Sequence, residues 1–93
     1  MNLRWTSKAL SDVARVRDFL RPVNPHAARR AVLQLFNDLE LVARNPRIGE
    51  AVEVVQFNGR EVRRVFIGDY ELRYEVRPLE IIVLRVWHVR EDR

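Results

Sequence analysis

The chain has 93 residues, no cysteine, 47% hydrophobic residues and a formal net charge of +4. That length supports one domain, read as spanning 1–93, held by an ordinary apolar core, because disulfides and thiolate metal sites are excluded. Residues 1–11, broken by Arg4 and Lys8, do not resemble a signal peptide, and the longest apolar run, 81–84, is too short for a bilayer, so a cytoplasmic protein with no membrane role is expected.

Residues 2–5 read as a short strand with Leu3 and Trp5 on one face. Thr6 or Ser7 offers an N-cap to a helix in which Ala9, Leu10, Val13, Val16, Phe19 and Leu20 recur at helical spacing, with Asp12, Arg15 and Asp18 on the opposite arc. Pro22 stops this helix, and Asn24-Pro25 restarts the chain as an N-cap followed by an N1 proline. The second helix carries Ala28, Ala31, Val32, Leu35, Leu39, Val42 and Ala43 as its apolar stripe and ends at Asn45-Pro46. The short connection predicts an antiparallel helical hairpin.

After Gly49 the apolar period changes to two, the switch from helix to strand. Residues 51–57 read as a strand, Asn58-Gly59 as a hairpin turn, 60–67 as the next strand and Gly68-Asp69 as another turn. Along 70–77, Tyr70, Leu72, Tyr74 and Val76 share one face, while Glu71, Arg73, Glu75 and Arg77 share the other. Residues 81–88 are apolar on both faces, as a central strand would be, and the polar end 89–93 reads as loose. The expected fold is α+β in the order β-α-α-β-β-β, a helical hairpin packed on one face of a small, mainly antiparallel sheet.

A basic balance favours an anionic partner, and sixteen of the seventeen basic residues are arginine, whose forked guanidinium recognises carboxylate or phosphate in a way lysine cannot imitate. Codon bias would give the same count, and the charge alone does not separate RNA, DNA and acidic protein. His26 and His88 have no metal-ligand spacing, and no nucleophilic triad or phosphate loop is present, so neither a metal nor a cofactor is expected. The alternating charges of 71–77, joined by Arg85, fit either cross-strand ion pairs on a solvated face or a docking surface, and pattern alone favours the ion pairs. Of the adjacent Arg63 and Arg64, one must face the helices or their edge and needs a partner there. His88 reads as a packed strand-end histidine, and Trp5 and Trp87 as core or groove-lining aromatics.

Four segments, in order, resemble the RelE/ParE toxin superfamily. RWTSKALSDVARVRDFL is similar to the opening of ParE-type toxins, and LVARNPRIGEAV to the family's helix exit at Leu41, Pro46 and Gly49. NGREVRRVFIGDYELRYEV resembles its glycine–arginine strand followed by a tyrosine-x-aliphatic-x-tyrosine strand. IIVLRVWHVRED resembles its last strand, with Arg85, Val86, His88 and Arg90. The resemblance covers nearly the whole chain and implies the toxin of a type II toxin–antitoxin pair, active in plasmid stabilisation or growth inhibition.

The superfamily divides by target: RelE-like members cleave messenger RNA on the ribosome, whereas ParE-like members poison DNA gyrase and are not nucleases. In many of the nucleases an arginine follows the first tyrosine position of the penultimate strand; here Glu71 stands in that slot. No tyrosine follows His88, and Lys8 is the sole lysine. These departures favour the ParE-like branch, a protein inhibitor of gyrase neutralised by a cognate antitoxin, with a toxin–antitoxin hetero-oligomer as the expected assembly. Arg63, Arg64, Arg73, Arg85, Trp87 and Arg90 are the expected partner-binding residues, and no catalytic set is favoured. The alternative is a ribosome-dependent endoribonuclease with His88 as acid/base and Arg64 and Arg85 holding phosphate. A degenerate member that binds antitoxin and harms nothing is the third.

Overall fold

The computed structural model describes residues 2–55 and 60–91. Along them run β1 (Asn2–Trp5), α1 (Ser7–Leu20), α2 (Pro25–Arg44), β2 (Glu50–Val55), β3 (Arg60–Ile67), β4 (Tyr70–Val76) and β5 (Glu80–His88). The α+β class and the helical hairpin are as expected. Four strands follow the helices rather than the three of the β-α-α-β-β-β order, because each of the four apolar segments read from the sequence forms its own strand. The Asn58-Gly59 turn lies outside the described residues.

Local chemistry sets the helix ends. The Thr6 hydroxyl accepts from the Ala9 N–H at 3.0 Å, and Asn24 Oδ1 accepts from His26 and Ala27 N–H at 3.0 and 3.1 Å, with Pro25 in the first turn. The stripe of α2 buries Ala28, Leu35, Leu39, Val42 and Ala43 as its period dictates. On α1 three positions differ. Leu10 and Phe19 are exposed, and Asp12, placed on the outer arc by its spacing, is buried.

The sheet order is β1-β5-β4-β3-β2, with β1 parallel to β5 and the other pairs antiparallel. β5 is therefore central only where β1 reaches, from Glu80 to Val83. A bulge then changes its facing: Arg73 pairs with Arg85 but Tyr74 pairs with Val83, so Leu84 has no opposite number on β4. One extra residue moves every later side chain to the other face. Val86 and His88 consequently turn inward, and Arg85 and Trp87 turn outward with Arg73 and Glu71. The Thr6 hydroxyl sits beside the Val83 and Leu84 carbonyls, 3.2 Å from each, at the point where β1 gives way to α1.

The core between helices and sheet is built from Val16, Leu35, Leu39 and Val42 against Leu72, Tyr74, Ile81, Val83 and Val86. At the exit of α2 the Tyr74 hydroxyl donates to the Pro46 carbonyl at 2.8 Å and accepts from the Gly49 N–H at 3.0 Å, stitching the helix–strand connection to the sheet. Tyr74→Phe keeps the ring and leaves the buried Gly49 N–H unpaired, so it is expected to lose about 1–3 kcal/mol. Urea denaturation of the two proteins measures the difference, and equal midpoints would remove this stitch from the account.

Candidate functional site

The sheet face away from the helices carries Arg64 of β3, the charged residues of β4, and Arg85 of β5. Cross-strand register places Arg64 opposite Arg73, Arg73 opposite Arg85, and Glu71 opposite Trp87. The guanidinium carbons of Arg73 and Arg85 stand 5.0 and 4.7 Å from the Trp87 ring centre, and that of Arg64 is 5.6 Å from the Phe66 ring. Stacking of this kind lets like-charged side chains share a face, since each cation meets a π surface as well as a neighbour. Phe66 is 57% exposed, so the patch presents both apolar and cationic surface.

This face is less solvated than the charge alternation suggests. Glu71 and Glu75 are buried, roofed by arginine stems: Glu75 accepts from Arg60 at 2.7 Å and from Arg77, and Glu71 lies 3.7 Å from Arg73 Nε. Arginine methylenes cover surface while their heads stay wet, which a binary polar pattern does not express. Burial opposes the ionised form of Glu75, but hydrogen bonds from Arg77 and Arg60 outweigh it and hold the carboxyl below its ordinary range.

The expected site residues divide between two faces. Arg64, Arg73, Arg85 and Trp87 share the outer one. Arg63 points to the helix side, where it donates to the Gly49 carbonyl at 2.6 Å and lies 3.5 Å from Glu61, the partner its inward position required. Arg90 follows β5 and lines a groove with Leu20, Val23, Asn24, Ala27 and His88. His88 is 4% exposed, with its Nδ1 accepting from the Arg90 N–H at 3.1 Å and its ring against Phe19 and Tyr70. It is the packed strand-end histidine that the sequence suggested, on the opposite face of β5 from Arg85. The Tyr70 hydroxyl beneath it is pushed up to about 12 by burial and by Asp69.

The centre that sequence reasoning missed is Asp12, 1% exposed. Because β1 stops at Trp5, the β5 backbone beyond Val83 has no strand on that side, and α1 supplies side chains instead. Asp12 Oδ2 accepts from the Val86 N–H at 3.0 Å, and Arg15 donates to the Val86 carbonyl at 2.8 Å. Arg85 grips the same carboxylate with Nε at 2.7 Å and Nη2 at 3.3 Å, and Arg15 Nη1 bonds its other oxygen. Arg15 continues to Glu91 at 2.7 and 3.2 Å, and Glu91 also accepts from the His88 N–H at 2.8 Å. Residues 89–91, read as loose, are thus tied to α1 and the end of β5. The available signal was the Asp12–Arg15 spacing of three together with a first strand shorter than the last.

Burial works against ionised Asp12, but hydrogen bonds from Arg85, Val86 and Arg15 prevail and lower its pKa; Arg15 does the same for Glu91. A depressed folded pKa stabilises the fold at pH values above the unfolded carboxylate range, about 4. That contribution disappears as pH falls through the lower folded values. The denaturation midpoint should therefore fall between about pH 5 and about pH 2, and a constant midpoint would contradict the network.

The molecule is thus a small α+β domain, a helical hairpin on a five-stranded sheet with an arginine–aromatic outer face. The chain belongs to the ParE toxin family of type II toxin–antitoxin systems, parDE, which it matches over residues 3–93. It is 30% identical over 84 residues to Toxin RelE2 of Caulobacter vibrioides, covering 90% of both chains. It also superposes on a chain of the chromosomal ParDE TA system from P. aeruginosa with a TM-score of 0.73, at 25% identity and 97% coverage of each chain. It is a type II toxin, and its partner is an antitoxin.

Proposed function

We propose that this toxin acts in the cytoplasm on DNA gyrase, as a protein inhibitor and not as a nuclease, through the outer face of β3–β5. The observation that carries the reading is the separation of the residues a nuclease would need. RNA cleavage at a 2′-hydroxyl requires an acid/base within hydrogen-bond reach of the reacting oxygen while cations hold the adjoining phosphate, so both must line one surface. His88 is packed inward with Nδ1 engaged, whereas Arg64 and Arg85 lie on the other side of the sheet. With ParE membership, this favours binding over cutting.

Induced without antitoxin, the protein is expected to arrest growth with DNA damage and filamentation while messenger RNA remains intact. Codon-positioned cleavage of messenger RNA on purified translating ribosomes would replace the gyrase reading with the RelE-type one. The antitoxin is expected to bring an acidic, amphipathic segment that folds on this basic surface. At free antitoxin ~100 times its Kd the toxin gains about 2.7 kcal/mol of stability. A thermal melt with and without the cognate antitoxin measures that gain, and an unmoved Tm would mean that the pairing is wrong.

A further inference from the structure

We propose that Asp12 is the positioning residue of the target-binding face: from helix α1 it fixes the Arg85 guanidinium against Trp87 and presents the remaining N–H donors of Arg85 to an oxyanion on the target. This rests on the gyrase reading of that face. The network stabilises the fold, but satisfying the Val86 backbone does not by itself call for a charge gripping Arg85. The Val86 N–H requires only a neutral acceptor, and Arg15, one turn along the same helix, already supplies a counter-charge to the buried carboxylate. A buried carboxylate is nevertheless present, and it holds Arg85 through two nitrogens.

The geometry matches the task. Arg85 reaches back to α1 from the outer face because the Leu84 bulge turns it outward just where β1 has ended. Asp12 holds two of its nitrogens, and Trp87 lies 4.7 Å from the guanidinium carbon. Its side chain keeps 34% exposure, enough to meet a partner. An arginine already fixed in one rotamer does not have to be ordered on binding, which is how preorganisation raises affinity. Arg73, the register partner of Arg85, is held less directly: its Nε is buried without a hydrogen-bond partner, 3.7 Å from Glu71.

The test uses Asp12→Asn, Arg85→Ala, the double variant and Arg85→Lys, each as the full chain. Asp12→Asn keeps an acceptor for Val86 and removes the charge that grips Arg85. Trp87 emission, read on the free protein in a Trp5→Phe background, should shift alike in Asp12→Asn and Arg85→Ala, with no further shift in the double variant. The concentration for half-inhibition of gyrase should rise roughly tenfold or more in each single variant, and the double should match a single instead of multiplying the two. Arg85→Lys keeps a cation over the buried carboxylate, so it should fold, yet it lacks the fork and should lose inhibition to a similar extent. Full inhibition by Arg85→Lys, multiplicative losses in the double variant, or unshifted Trp87 emission in Asp12→Asn would each overturn the proposal. If the wild type leaves gyrase untouched, the target reading falls, and the same coupling is then read from growth arrest on induction. The emission result judges Asp12 in either case.

Discussion

Removing the Arg64 and Arg73 side chains together, as Arg64→Ala and Arg73→Ala, is expected to weaken gyrase inhibition by about 100-fold or more while the protein stays folded. The two residues are register partners on the outer face, and each stacks on an aromatic ring, Phe66 or Trp87. Charge-assisted hydrogen bonds to a partner contribute about 1.5–3 kcal/mol each. Two lost bonds therefore give about 3–6 kcal/mol, and each ~1.4 kcal/mol is tenfold in affinity. Within the free protein Arg64 faces the exposed Glu50, a kind of pair that typically contributes ~0–1 kcal/mol, and Arg73 lies 3.7 Å from the buried Glu71 without a hydrogen bond from its Nε, so a melt of the variant accompanies the assay. Arg85 is less suited to this test, because it holds the buried Asp12 carboxylate through two hydrogen bonds. By contrast, His88→Gln should keep inhibition within a few fold, since the ring serves packing. Full inhibition by the arginine double variant would remove the outer face from the mechanism. Loss of inhibition in a folded His88→Gln would return His88 to a chemical role.

The largest stability effect is expected at Gly49. A Cβ there would stand 2.6 Å from the Arg64 carbonyl oxygen and 2.7 Å from the Tyr74 hydroxyl, both inside van der Waals contact. The carbonyl belongs to a paired strand and cannot retreat without breaking the β2–β3 register. The hydroxyl can move only by giving up Pro46 or Gly49. Overpacking of this kind costs about 1–3 kcal/mol, and a lost buried hydrogen bond adds about 1 kcal/mol or more, so Gly49→Ala should lose about 3 kcal/mol. For a domain of this size that corresponds to a fall in Tm of about 12–24 °C. Calorimetry on the purified variant measures it. A change of only a degree or two would show that the connection between α2 and β2 has room the structure does not contain.

Both results depend on features that the sequence disclosed unequally. Helix limits were legible because caps and stops are local: Thr6, Asn24, Pro25 and Asn45 act within a turn of themselves. The inward set of β4 was legible because alternation is a property of one strand. Asp12 was not, because its burial depends on where a different strand ends; a polar residue on the outer arc of α1 becomes central only after β1 falls short of Val86. The facing of Val86 and His88 was hidden for a related reason, since Leu84 bears no mark of a bulge in its own sequence. Glu71 and Glu75 read as solvated because alternation records polarity and not the reach of arginine stems from neighbouring strands. Of the expected arginines, Arg64, Arg73 and Arg85 fell on one face together with Trp87, and Arg63 was separated from Arg64 by the period of two that also made one of the pair seek an inward partner.

The proposed action of this ParE-family toxin is binding of gyrase through its arginine–aromatic sheet face. The most direct measurement is a supercoiling assay with purified gyrase and purified toxin, run with and without the cognate antitoxin. Dose-dependent loss of supercoiling that the antitoxin reverses, and that Arg64→Ala with Arg73→Ala abolishes, is the expected result. Undiminished supercoiling at saturating folded toxin, alongside cleavage of messenger RNA on translating ribosomes, would contradict it.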